Sequence, residues 1–90
     1  MKITKKSTSR LNTTDFSNLR FGTVFSDHML VCNYKNGKWG EAEILPYGPI
    51  AMAPGSQVLH YAQSVFEGMK AFKNDKDEIL LFRKEENFKR

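Results

Sequence analysis

The stretch HMLVCNYKNGKWGEAEIL, residues 28–45, decides how this chain folds. Two apolar runs flank Lys35-Asn36-Gly37-Lys38, and Asn-Gly between strand-like runs signals a tight hairpin, because both central residues tolerate positive φ. The pattern predicts paired strands over 28–35 and 38–45. In PYGPIAMAPGS, residues 46–56, Pro46, Gly48, Pro49, Pro54 and Gly55 interrupt regular structure. Pro54 suits the first turn of a helix, and Val58, Tyr61 or Ala62, and Val65 recur at helical spacing, which predicts a short helix over about 54–64. Past Gly68 the chain reads as strand, polar turn and strand. The turn falls at residues 74–78, and Ile79 to Phe82 read as buried on both faces. KEENFKR, residues 84–90, has the composition of a helix start. Hairpins and short helices without repeated strand-helix-strand units predict an α+β domain with an antiparallel or mixed sheet.

Composition fits that class. Ninety residues make one domain with a marginal core, and 40% hydrophobic with 27% charged residues is ordinary for a globular chain. The formal charge of +4 sits in the first twenty residues, where Lys2, Lys5, Lys6, Arg10 and Arg20 face Asp15 alone. Residues 1–20 therefore read as a basic, flexible, Ser/Thr-rich arm, and residues 21–90 as the folded domain. A basic arm of this kind could serve a nucleic-acid binder, but basicity confined to a tail argues against a nucleic-acid partner. It also resembles a transit peptide in being basic and Ser-rich, yet Met1, Ile3, Leu11 and Phe16 give little helical amphipathicity. The apolar runs are strand-sized, so no membrane span or secretory signal is expected and the expected compartment is the cytoplasm.

Cys32 is the only cysteine, so no internal disulfide can form; it reads as a buried small hydrophobe. With one cysteine and two separated histidines, His28 and His60, no metal site is expected. No Walker loop, dinucleotide fingerprint or nucleophile elbow is present among the six glycines. Lys70 invites comparison with a Schiff-base amine, but such a lysine needs desolvation or neighbouring cations, and its place in a strand reads as solvent-facing or snorkelling. On spacing alone Tyr61 and Phe66 read as core, and Arg83, Lys89 and Arg90 as surface charges.

Two segments alter that reading. HYAQSVFEGMKAF, residues 60–72, followed by FRKEENFKR, residues 82–90, resembles the N-terminal small domain of branched-chain amino-acid aminotransferases, pyridoxal-phosphate enzymes of fold type IV. The resemblance extends from about Phe21 to Arg90. It implies transfer of an amino group from leucine, isoleucine or valine to 2-oxoglutarate, in a homodimer of two-domain subunits serving branched-chain amino-acid biosynthesis. It also implies that the lysine bonded to pyridoxal 5'-phosphate lies in a second domain beyond Arg90, so that this chain is an inactive fragment with no catalytic residue of its own. Arg90 matches the arginine that grips the cofactor phosphate, and Tyr61 and Phe66 match aromatic residues lining the substrate pocket. Lys84 stands where many relatives have proline, and Ala62 where glycine is common; the second departure implies a helix-compatible backbone at Ala62. The alternative reading is a non-catalytic small interaction domain.

Overall fold

The Asn36-Gly37 turn forms as its residues dictate. In the computed structural model, which describes residues 1–90, Asn36 and Gly37 take φ of 54° and 77°. The flanking residues pair as β3 (Tyr34–Lys35) and β4 (Lys38–Trp39), with Tyr34 opposite Trp39. Their rings meet edge to face, centroids 5.0 Å apart. Such a pair contributes about 0.5–1.5 kcal/mol beyond its buried area.

Further from the turn the pairing continues as β2 (His28–Val31) against β5 (Glu43–Pro46), but one residue out of step. Two residues, Cys32 and Asn33, face three, Gly40 to Ala42, so the return strand carries a bulge. Gly40 N–H donates to the Asn33 carbonyl at 2.7 Å, and a Cβ on Gly40 would stand 3.3 Å from that same oxygen. The bulge is why Leu30 pairs with Ile44 and His28 with Pro46. Cys32 is half-buried rather than buried, its thiol 3.4 Å from the Gly40 carbonyl. Tyr47 N–H donates to the Asp27 carbonyl at 2.8 Å, so by alternation the bond-exchanging pairs are Met29–Leu45 and Val31–Glu43. Pro46 then occupies a non-bonded pair, where its missing N–H removes no rung to β2.

β5 is the centre of a mixed three-stranded sheet, because β1 (Lys2–Ile3) pairs with its other edge in parallel. Thr4 N–H extends that edge to the Ile44 carbonyl at 2.8 Å. The start of the segment read as a flexible arm therefore lies against the sheet. Its polar residues find fixed partners, as with Ser9 and Arg10 on Asp27 and the Lys6 N–H donated to His28 Nε2 at 3.0 Å. A 3₁₀ turn covers Leu11–Thr13.

The chain divides into two compact units, Met1–Ala51 and Met52–Arg90. The second holds α1 (Gln57–Tyr61), the hairpin of β6 (Ala71–Lys73) with β7 (Ile79–Leu81), and α2 (Lys84–Lys89). Helix α1 is shorter than its apolar spacing predicts. Ala62 ends it in the left-handed region, φ 49° and ψ 33°, rather than continuing the helix. That conformation costs an L-residue about 1–2 kcal/mol, and glycine escapes the cost, which accounts for glycine suiting this position. The β6–β7 turn is held by Asn74, whose Oδ1 accepts from the N–H groups of Lys76 and Glu78, each at 2.9 Å.

The architecture is thus α+β, with mixed and antiparallel sheets and short helices. No side chain is fully buried in either unit. The marginal core expected from chain length is absent, and Ile79, Leu80 and Leu81 are exposed rather than covered on both faces. A two-stranded ribbon with nothing packed on it leaves its apolar residues in water. No helix is long and apolar enough to cross a membrane.

Candidate functional site

The second unit carries all the residues singled out by resemblance. Tyr61 is the last residue of α1 and Phe66 lies in the irregular segment after it. Their exposures are 81% and 95%, and neither ring enters an aromatic pair. The reading of these residues as core from spacing alone does not hold within this chain. His60 in α1 ties the helix to the turn before it, its Nε2 lying 2.6 Å from the Pro54 carbonyl. The left-handed turn at Ala62 then diverts the backbone, so Tyr61 and Phe66 stand on either side of a sharp change of direction.

Arg90 follows α2, and its guanidinium is where the two recognised segments meet. Its Nε lies 3.2 Å from Glu67 Oε2. The other oxygen of Glu67 accepts from Asn87 Nδ2 at 3.1 Å and from the Gly68 N–H at 3.0 Å. Asn87 Nδ2 also donates to the Gly68 carbonyl at 2.7 Å. Glu67 and Gly68 belong to HYAQSVFEGMKAF, Asn87 and Arg90 to FRKEENFKR. A carboxylate and an amide thus fasten the loop after α1 to α2. Asn87 first and then the Gly68 N–H hold the Glu67 carboxyl below its ordinary value; desolvation opposes them, and the charge of Arg90 adds the smallest lowering effect.

Two neighbouring cations, Arg83 and Lys89, share a separate acidic partner. Glu86 accepts from Lys89 Nζ at 3.1 Å and stands 4.0 Å from Arg83 Nη2. Arg83 precedes α2 in the left-handed region, φ 48°. Lys70, just before β6, is exposed, with Nζ 5.5 Å from the centre of the Phe72 ring, an ordinary cation–π placement. Nothing around it supplies the enclosure that a nucleophilic lysine needs.

Glu67 and Asn87 were not singled out in the sequence, although Glu67 lies within HYAQSVFEGMKAF and Asn87 within FRKEENFKR. The signal was their spacing within those segments, and it gains meaning only when the chain brings the segments together. The structure joins Arg90 to Glu67 and Asn87. It forms no hydrogen bond or ring contact that ties Tyr61 or Phe66 to them. A cleft of about 390 Å³ lies in the first unit among Leu11, Phe16, Leu19, Val24 and Phe25, and includes none of these residues.

Comparison with known proteins addresses the whole stretch. A probable branched-chain-amino-acid aminotransferase of Staphylococcus aureus strain MRSA252 is 53% identical over 77 residues, which is 84% of this chain. Branched-chain-amino-acid aminotransferase 2 of Bacillus subtilis strain 168 is 48% identical over the same length. The corresponding enzyme of Helicobacter pylori strain J99 is 41% identical over 80 residues, or 89% of the chain. This chain is homologous to branched-chain-amino-acid aminotransferases. It spans 21% of the length of the first two aminotransferases and 24% of the third. No family model matches it. Identity to the aminotransferases at this level covers most of a chain that itself leaves every apolar side chain at least partly open.

Proposed function

We propose that this chain is the small-domain part of a branched-chain amino-acid transaminase that uses pyridoxal 5'-phosphate. In that reading residues 21–90 form the domain and residues 1–20 an N-terminal extension of it. The complete protein is a cytoplasmic homodimer serving amino-acid biosynthesis. It moves the amino group of leucine, isoleucine or valine to 2-oxoglutarate, giving a branched 2-oxo acid and glutamate.

The observation that carries this reading is the junction of the two recognised segments at Arg90. The residues present suit the cofactor's phosphate. Arg90 is largely open to solvent, and its one ion pair engages Nε, so the terminal Nη groups are available to an anion. A guanidinium offers paired donors in a plane, matched to phosphate oxygens, and each such bond is worth about 1.5–3 kcal/mol net. When bound, pyridoxal phosphate supplies an electron sink for charge that develops at the substrate Cα.

The work of this chain is binding and orientation. Arg90 fixes one end of the cofactor. Tyr61 and Phe66 present apolar ring area suited to a branched aliphatic side chain, and the Tyr61 hydroxyl can meet a polar group of the substrate. Their exposure here accords with rings that become covered only when a second domain and substrate close over them. The lysine that bonds the cofactor belongs to that second domain, and Lys70 takes no such part.

Borohydride reduction in the presence of pyridoxal phosphate should leave the 90-residue chain without a stoichiometric adduct. The protein that extends it into a lysine-bearing domain should form glutamate from leucine and 2-oxoglutarate. A stoichiometric adduct on Lys70, or a full-length protein inactive with all three amino acids, would overturn the proposal.

A further inference from the structure

We propose that Glu67 is a positioning residue for Arg90, holding the guanidinium by Nε so that its two terminal nitrogens meet a phosphate already oriented. The inference rests on the reading of Arg90 as the phosphate-binding residue. Its basis is geometric. Both oxygens of Glu67 are used: Oε2 lies 3.2 Å from Arg90 Nε, and Oε1 accepts from Asn87 and from the Gly68 N–H. The carboxylate is the less exposed partner, 34% against 75% for the arginine, so the anchor is the better-fixed side of the pair. Asn87 grips both Glu67 and the Gly68 carbonyl, which ties the anchor to α2, the same helix that ends at Arg90. Glu86 occupies Lys89 and stands near Arg83, so these two cations have a separate acidic neighbour.

A negative charge beside an anion site would by itself weaken anion binding. Positioning acts in the opposite direction, because an arginine already ordered loses less rotamer freedom when the anion arrives. The sign of the effect therefore separates the two roles.

The test is titration of the 90-residue chain with inorganic phosphate, followed on the Arg90 Nε–H resonance or, for Arg90→Ala, on α2 backbone amides. Glu67→Gln keeps the acceptor for Asn87 and Gly68 while losing the charge toward Arg90, and Glu67→Ala removes the anchor altogether. Both should weaken phosphate binding by about two- to tenfold, the range expected for ordering one long side chain. Unchanged or tighter binding in Glu67→Gln would overturn the proposal. A second measurement requires no phosphate: ¹⁵N relaxation should show Arg90 Nε more mobile in Glu67→Gln and in Asn87→Ala than in the parent chain. Equal mobility would overturn the proposal. Arg90→Ala tests the underlying reading separately. If it binds phosphate as well as the parent does, Arg90 is not the phosphate residue, whatever the relaxation shows about Glu67.

Discussion

The two units hold themselves together by different means. In Met1–Ala51 the less exposed residues run in two facing blocks, around 27–32 and 42–46, which are the partner strands β2 and β5. In Met52–Arg90 the only residues that are not exposed are Ser56, Asn74 and Asn87, all polar. The first unit is shaped by a backbone ladder three strands wide; the second is shaped by side-chain amides that pin its turns. Backbone pairing is generic and tolerates substitution along a strand, whereas a turn pinned by one amide depends on that residue. The unit that presents the candidate site residues is the one whose apolar side chains find no cover, with Val65, Phe66, Phe82 and Phe88 all strongly exposed.

The sharpest way to break the comparison is Asn74→Ala. It removes the two bonds to Oδ1 and the one from Nδ2 to Glu78, with a net loss of about 2 kcal/mol for the β6–β7 hairpin. Amide exchange in residues 71–81 should accelerate by about thirtyfold, while the amides of β2 and β5 stay as they were. Equal acceleration in both units would mean that they unfold as one. A smaller and opposite effect is expected of Ala62→Gly, which relieves the left-handed backbone at φ 49° and should stabilise the end of α1 by about 1 kcal/mol. Slower exchange at residues 59–64 checks it.

The third change is silent at neutral pH and confined to the first unit. Asp27, 16% exposed, sits at about 2 against an ordinary 3.8, lowered first by the Ser9 hydroxyl and then by the Arg10 side chain, with the Arg10 N–H and the charge of Lys6 assisting against desolvation. Because its folded value lies below the unfolded one, its contribution is complete above pH 4 and is lost as the pH falls toward 2. Resonances of residues 6–10 and 27 should shift together over that window, and Asp27→Asn should abolish the concerted change. Glu67 in the second unit is lowered as well, so its own bonds should also fail only in acid.

The hairpin turn and both later strands were legible because Asn-Gly and the polar run at 74–78 specify backbone conformation locally. Register was not. Strands paired residue for residue about Asn36-Gly37 would set His28 against Leu45, yet the bulge sets it against Pro46. One additional residue at Gly40–Ala42 leaves no mark in hydrophobic alternation that short. The length of α1 was misjudged because Val65 keeps helical spacing with Val58, although Ala62 has already left the helix. Residues 1–20 read as free because their composition is polar; what holds the first ten is a scatter of single bonds to Asp27, His28 and Ile44, partners remote in sequence. Arg90, Tyr61 and Phe66 emerged from likeness to the aminotransferases, while Glu67 and Asn87 needed the fold, since they are twenty residues apart and act as a pair.

The absence of any fully covered side chain has a calorimetric consequence. The heat-capacity change of unfolding follows the apolar surface newly exposed to water. A chain that has little left to expose should melt with a shallow, low-enthalpy transition, and a shallow denaturant slope should accompany it. Any partner surface that covers exposed rings such as Phe66 and Phe88 would therefore bring cooperativity to these ninety residues as well as area.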